Sequence, residues 1–172
     1  MNEYINHIIK KLDKSYPDID TELIYNSPFQ LLIATILSAQ CTDKIVNKTT
    51  INLFKQYPSI ENLAEAKIND VEKLIKSTGY YKLKARRIVN TSKKIIEKHN
   101  GIIPNNMQDL VELDGVGRKT ANIVLSIVFK KNEGIAVDTH VIRVSRRLEL
   151  TRNINPKKIE IDLIKQIPER LW

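Results

Sequence analysis

Leu110-Val-Glu-Leu-Asp-Gly-Val-Gly-Arg-Lys-Thr-Ala-Asn-Ile-Val-Leu-Ser-Ile-Val128 reads as two helices joined by a turn too tight for most residues. Leu110, Leu113 and Val116 are spaced to pack the helices together, and Ala121 is small enough to let them approach. Gly115 and Gly117 permit the sharp turn and keep side chains away from the backbone amides that follow. Those amides open the second helix, where unpaired N–H groups and the helix dipole suit one anionic group such as a phosphate.

The spacing of these residues is that of a helix-hairpin-helix DNA-binding element, which touches the DNA backbone and so positions without reading sequence. An ordinary helical corner with a glycine stop is the alternative that the spacing leaves open. Outward from the hairpin, apolar residues recur at helical spacing along the whole chain, between capping signals. Ile5, Ile8, Ile9 and Leu12 form one stripe. Ser27-Pro-Phe-Gln30 is a capping box with proline at the first helical position, and predicts a helix running to about Gln40. Thr42 can cap a helix carrying Ile45, Val46, Thr49 and Leu53, and Asn69 starts another that Gly79 stops. A long amphipathic run from Lys84 to His99 ends at Asn100-Gly101. Asn106 opens a short helix into Leu113, Arg118–Lys130 forms the second arm of the hairpin, and Asp138 precedes Thr139–Leu148. Asn155-Pro156 opens the last full helix, which Pro168 ends. Gly134–Val137 is the one short strand candidate, so the fold class is all-α.

The composition agrees with a nucleic-acid partner. The 172 residues carry 28 Lys+Arg against 20 Asp+Glu, a net charge of +8, which favours a polyanion. The longest apolar stretch, Phe29–Ala39, is too short for a bilayer and is broken by Gln30, Thr35 and Ser38. No charged stub, apolar core and small-residue cleavage site open the chain as a signal peptide would. One cysteine, Cys41, allows no internal disulfide, and its place at a helix end reads as a packing thiol.

Two residues invite chemistry. Lys119 falls in the first turn of a helix, where the dipole disfavours a cation. That dipole and the neighbouring Arg118 favour an uncharged, nucleophilic amine, although a second phosphate contact beside Arg118 is the plainer reading of the spacing. Asp138 is placed to cap the next helix, and capping is the simpler reading; a capping carboxylate is also fixed in orientation, so a catalytic role is compatible.

Leu113-Asp-Gly-Val-Gly-Arg-Lys-Thr-Ala121 and Ala136-Val-Asp-Thr-His-Val-Ile-Arg-Val144 closely resemble the signature of the endonuclease III family of the helix-hairpin-helix glycosylases. Thr21-Glu-Leu23, Ser27–Ala34, Ser38-Ala-Gln-Cys-Thr-Asp43, Ser77–Ala85 and His99-Asn-Gly101 match the same family in the same order. The resemblance implies a two-lobed glycosylase fold, with residues 21–131 as a six-helix lobe and 1–20 plus 132–172 as an incomplete second lobe. It implies removal of oxidised pyrimidines from double-stranded DNA, then cleavage 3′ to the abasic site by β-elimination. It also implies a bacterial, cytoplasmic, nucleoid-associated monomer with no membrane partner.

On this resemblance Lys119 is the Schiff-base nucleophile and Asp138 the catalytic carboxylate. Gly115, Val116, Gly117 and Arg118 hold DNA, Gln40 fills the gap in the duplex, and Tyr80 stands where the family carries an apolar wedge, often leucine. Asp43 lies at the mouth of the damage pocket. Asp114 departs from the family's usual proline, setting a carboxylate near the phosphate site unless it serves as a local turn cap. Family members continue beyond the position of Trp172 with a cysteine-rich loop that holds a [4Fe–4S] cluster; those cysteines are absent here, so the chain is expected to be a shortened form without cofactor or metal. The alternative is a DNA-binding module with little or no turnover.

Overall fold

The computed structural model describes residues 3–17 and 21–172. Ten α-helices follow in chain order: α1 (Glu3–Ser15), α2 (Pro28–Leu37), α3 (Asp43–Gln56), α4 (Ile60–Ala64), α5 (Ile68–Leu74), α6 (Tyr81–His99), α7 (Met107–Val111), α8 (Arg118–Phe129), α9 (Thr139–Arg147) and α10 (Pro156–Ile164). Short 3-10 turns follow α5 (Lys76–Thr78) and α10 (Glu169–Leu171). No strand occurs among the described residues; 134–137, the strand candidate, is a bend and loop. No described helix is long and apolar enough to cross a membrane.

α2 is the axle of the fold. Leu31, Leu32, Ile33, Ala34 and Leu37 have no exposed surface, so this helix is apolar all round, as a central core helix must be. Ser27 caps it by accepting the Gln30 amide, while Gln30 Oε1 reaches back to the Asn26 amide, 2.9 Å away. It ends at Leu37 and not near Gln40, because the chain turns through Gln40 in a left-handed conformation (φ 53°). Helices α3, α6 and α8 pack around α2, with α4 and α5 against α6 and α7 against α8. One continuous apolar core runs from Leu23 to Leu125 through all seven helices between residues 21 and 131, one more than the six expected, α4 being the added turn.

α5 begins at Ile68, one residue before the expected Asn69, and two larger differences concern α6 and α4. α6 begins at Tyr81 and not Lys84, since Tyr80 sits in the left-handed region (φ 45°) and its carbonyl takes the Leu83 and Lys84 amides. α4 is a single capped turn at Ser59, too short to show a period. The expected stop at Asn100-Gly101 is present, both residues having positive φ.

In the remainder, α9 buries only Ser145, and α10 buries Ile159, Glu160 and Leu163. The α1 stripe is partly covered: Ile5 is buried, Ile8 and Ile9 are half-buried, and Leu12 is exposed.

Candidate active site

The hairpin turn is built as its glycines suggest, but the two glycines do different work. Gly115 has φ +82°, and a Cβ there would lie 2.9 Å from Arg87 Cδ and 3.3 Å from Ile36, so the turn is pressed against α6 and α2. Gly117 is extended, and a Cβ on it would meet nothing within 4 Å. Its lack of a side chain leaves the first amides of α8 open, and no side chain caps them. Val116 is buried, and its amide bonds to Leu113, so it packs the hairpin and its side chain is not offered to a ligand.

Asp114 does not face that opening. Its carboxylate lies 2.8 Å from Lys94 Nζ on α6, and its carbonyl accepts the Thr91 hydroxyl at 2.7 Å. Lys94 and Asn90 hold the carboxyl below its ordinary range. The residue therefore braces the turn against α6 and is not a local turn cap.

Arg118 has a protein partner that its sequence position does not suggest. Its guanidinium grips Glu160 of α10 through two parallel bonds, Nε to Oε2 and Nη2 to Oε1, both 2.9 Å. Glu160 is buried, and Oε1 also accepts Asn122 Nδ2 at 3.1 Å. A Cβ at position 134 would come within 2.1 Å of Glu160 Oε1, so any side chain there would displace this carboxylate from its present place. Burial pushes the Glu160 carboxyl up, but Arg118 and Asn122 outweigh it and the group stays below its ordinary value. None of Glu160, Asn122 or Gly134 stands out in the sequence; a glutamate beside the α10 stripe reads as solvent-facing.

Lys119, one residue on, projects from α8 toward Asp138, its Nζ 3.3 Å from Oδ2. The two carboxylate oxygens of Asp138 divide their work. Oδ1 accepts the amides of His140 and Val141, each at 2.9 Å, and so caps α9; Oδ2 faces the lysine. The cap and the approach to Lys119 are thus made by different oxygens of one carboxylate. Partial burial pushes this carboxyl up, yet the Val141 amide, the Lys119 charge and the His140 amide hold it below its ordinary value.

The pair opens onto a cleft of about 550 Å³. Thr21, Glu22, Asp43, Asn122 and Ser126 give it polar edges, and Ile123, Ile127, Ala136 and Trp172 an apolar wall. Its size and mixed lining suit a flat heterocycle. Asp43 is therefore at the cleft with Lys119 and Asp138, while Gln40 and Tyr80 lie elsewhere, together around an opening of about 240 Å³ with Arg87. Both are exposed.

A four-thiolate iron–sulfur cluster does not fit the residues present. Cys41 is the only cysteine in the sequence, it packs against the core, and the described residues hold no cluster of three or more metal-capable side chains.

Residues 33–169 match the model of the HhH-GPD superfamily base excision DNA repair proteins. The chain is similar to endonuclease III of Synechocystis sp., 48% identical over 96% of this chain and 75% of the relative, and to endonuclease III of Bacillus subtilis, 41% identical over 98% and 77%. Its fold superposes on an endonuclease III trapped as a covalent intermediate with DNA at a TM-score of 0.95, with 42% identity over 99% of this chain and 80% of that one. A thermostable thymine-DNA glycosylase shares the fold, at a TM-score of 0.85 and 22% identity over 98% of this chain and 80% of that one. By family model, identity and fold together, this chain belongs to the endonuclease III family of HhH-GPD base excision DNA repair proteins.

Proposed function

We propose that this protein, a DNA glycosylase of base excision repair, removes oxidised pyrimidines from duplex DNA and then nicks the strand through a Schiff base on Lys119. The observation that carries the reading is the approach of Lys119 Nζ to 3.3 Å from the capped carboxylate of Asp138, at the edge of the cleft.

The chemistry follows from the two groups. A damaged base turned out of the stack enters the cleft. As its bond to C1′ breaks, positive charge develops on the sugar. Asp138 is a weak proton acceptor, because its carboxyl is held below the ordinary range, but it is a persistent and rigidly oriented anion. It therefore suits stabilisation of that charge better than removal of the lysine proton. Lys119 Nζ, after giving one proton to water, attacks C1′ and forms the C–N bond as the base departs with the bonding pair; the proton that Nζ then sheds is taken up by the departing base. Ring opening gives an iminium, loss of a C2′ proton gives an enamine, and expulsion of the 3′ phosphate breaks the strand. Hydrolysis of the imine frees Lys119.

DNA is held by the open amides after Gly117, with Gln40 filling the vacated place in the duplex and Tyr80 wedging beside it. Arg118 has a different part, as the strut that carries α8 to α10.

Incubation with abasic-site duplex and borohydride should trap a covalent adduct, and Lys119→Gln should abolish it. Salt-dependent DNA binding by folded wild-type protein without any adduct would leave a binding module and overturn the reading.

A further inference from the structure

Lys84 is a buried lysine, 3% exposed, and no carboxylate pairs with it among the described residues. Its Nζ donates instead to two main-chain carbonyls, Leu37 O at 2.8 Å and Thr78 O at 2.6 Å. Burying a cation is costly, and an unbranched apolar side chain would fill the same space more cheaply. What the ammonium gains is the joining of two chain segments 41 residues apart, at the end of α2 and at the end of the 3-10 turn before α6.

Each carbonyl begins a short loop. Leu37 lies three residues before Gln40, and Thr78 two before Tyr80. Both Gln40 and Tyr80 are held in the left-handed region, at φ 53° and 45°, which a residue with a Cβ keeps only when its surroundings dictate it. The Lys84 amide also closes on the Tyr80 carbonyl at 3.0 Å, so one residue ties this loop by side chain and main chain. Gln40, Tyr80 and Lys84 line the same opening.

We infer that Lys84 is a positioning residue for lesion recognition, setting from inside the fold the separation at which Gln40 and Tyr80 enter the duplex. The inference rests on the reading of those two residues as the ones that enter DNA. Apart from geometry, burial pushes the Lys84 ammonium below its ordinary range, with Cys41 pulling the other way.

The test measures discrimination: the Kd for an intact duplex divided by the Kd for the same duplex carrying a tetrahydrofuran abasic-site analogue. Lys84→Met should lower this ratio about tenfold, the equivalent of 1.4 kcal/mol. The Gln40→Ala/Tyr80→Ala double variant should fall similarly, and adding Lys84→Met to it should lower the ratio no further. A merely structural loss weakens both affinities alike and leaves the ratio in place; that result, or effects that multiply, overturns the inference. Where Lys84→Met does not melt cooperatively, Lys84→Gln, which reaches one carbonyl only, is read in the same way, and an unchanged ratio overturns the inference. Wild-type protein that discriminates but gives no borohydride adduct overturns the lysine chemistry and leaves this inference to the ratio. Wild-type protein that does not discriminate overturns both.

Discussion

Residues 21–131 are held by a continuous apolar core in which no residue of 132–172 takes part, whereas polar bonds run between the two segments, and the candidate catalytic pair straddles the difference. Lys119 stands on α8, whose Ala121, Val124 and Leu125 are sealed in the core. Asp138 heads α9, which buries a single serine. Between them the fixed distances are those of Arg118 and Asn122 to Glu160, and of Lys119 to Asp138 itself. Non-directional packing can hold a helix while tolerating small shifts; bidentate ion pairs fix angles as well as distance. A site needing one amine and one carboxylate in register is better served by the second kind of contact.

That contrast is broken most forcefully from the core side. Leu32→Ala, on a side chain with no exposed surface, should cost about 2–5 kcal/mol and lower the melting temperature of the whole molecule. Glu160→Ala should cost less, about 2–3 kcal/mol, because the Arg118 side chain it deserts is 40% exposed and regains water. The loss is concentrated elsewhere: Asn122 Oδ1 is already buried without a partner, and its Nδ2 would lose its acceptor too. Amide exchange should accelerate across 134–164 while α2 stays protected, and kcat should fall further than KM changes. Uniform loss of protection in both variants would remove the distinction between the two regions.

Acid should separate the regions in a milder way. Asp138 and Glu160 both have folded-state carboxyls below their ordinary values. Their contribution is therefore complete above the unfolded values, about 3.9 and 4.3, and disappears as pH falls through the folded ones. Unfolding followed from pH 7 to pH 3 should show stability lost below about pH 5, with α9 and α10 opening first. Glu160→Gln should begin lower at pH 7 and show a shallower acid limb; an acid limb identical to the wild type would sink the assignment.

Legibility in the sequence follows the reach of each interaction. Capping is local: Ser27, Asn106, Asp138 and Asn155 each cap the helix they precede, whereas Thr42 stands before α3 without a side-chain bond to it. Helix identity is equally local, except at α4, whose single turn after Ser59 offers no period to detect. The hairpin was readable because its parts lie within 19 residues. By contrast, Glu160 meets Arg118 across 42 positions and Lys84 meets Leu37 across 47, and neither end carries a sign of its partner. Gly134 looks like any loop glycine until Glu160 is seen against it. Arg118 shows the same limit: its position after Gly117 points to a phosphate, and only the fold reveals the carboxylate that it also grips.

The finest test of the contrast lies at Asp114, a polar brace inside the region that packing dominates. Its pairing with Lys94 joins side chains that are 33% and 36% exposed, so water screens it and its worth is below about 1 kcal/mol. Asp114→Asn should therefore shift the melting temperature only slightly, in contrast to Glu160→Ala. The effect on DNA is the sum of two opposed terms. Removing the carboxylate takes one negative charge from beside the hairpin and frees Lys94, which strengthens attraction to phosphate. It also slackens the turn that Thr91 and Lys94 hold, although Thr91 bonds to the carbonyl and survives the change. The charge term should prevail: affinity for undamaged duplex rises by less than about threefold, and the salt dependence becomes slightly steeper. A drop in affinity with no loss of stability would show instead that the brace positions the hairpin amides, and that even where packing holds the helices, polar bonds set the turn.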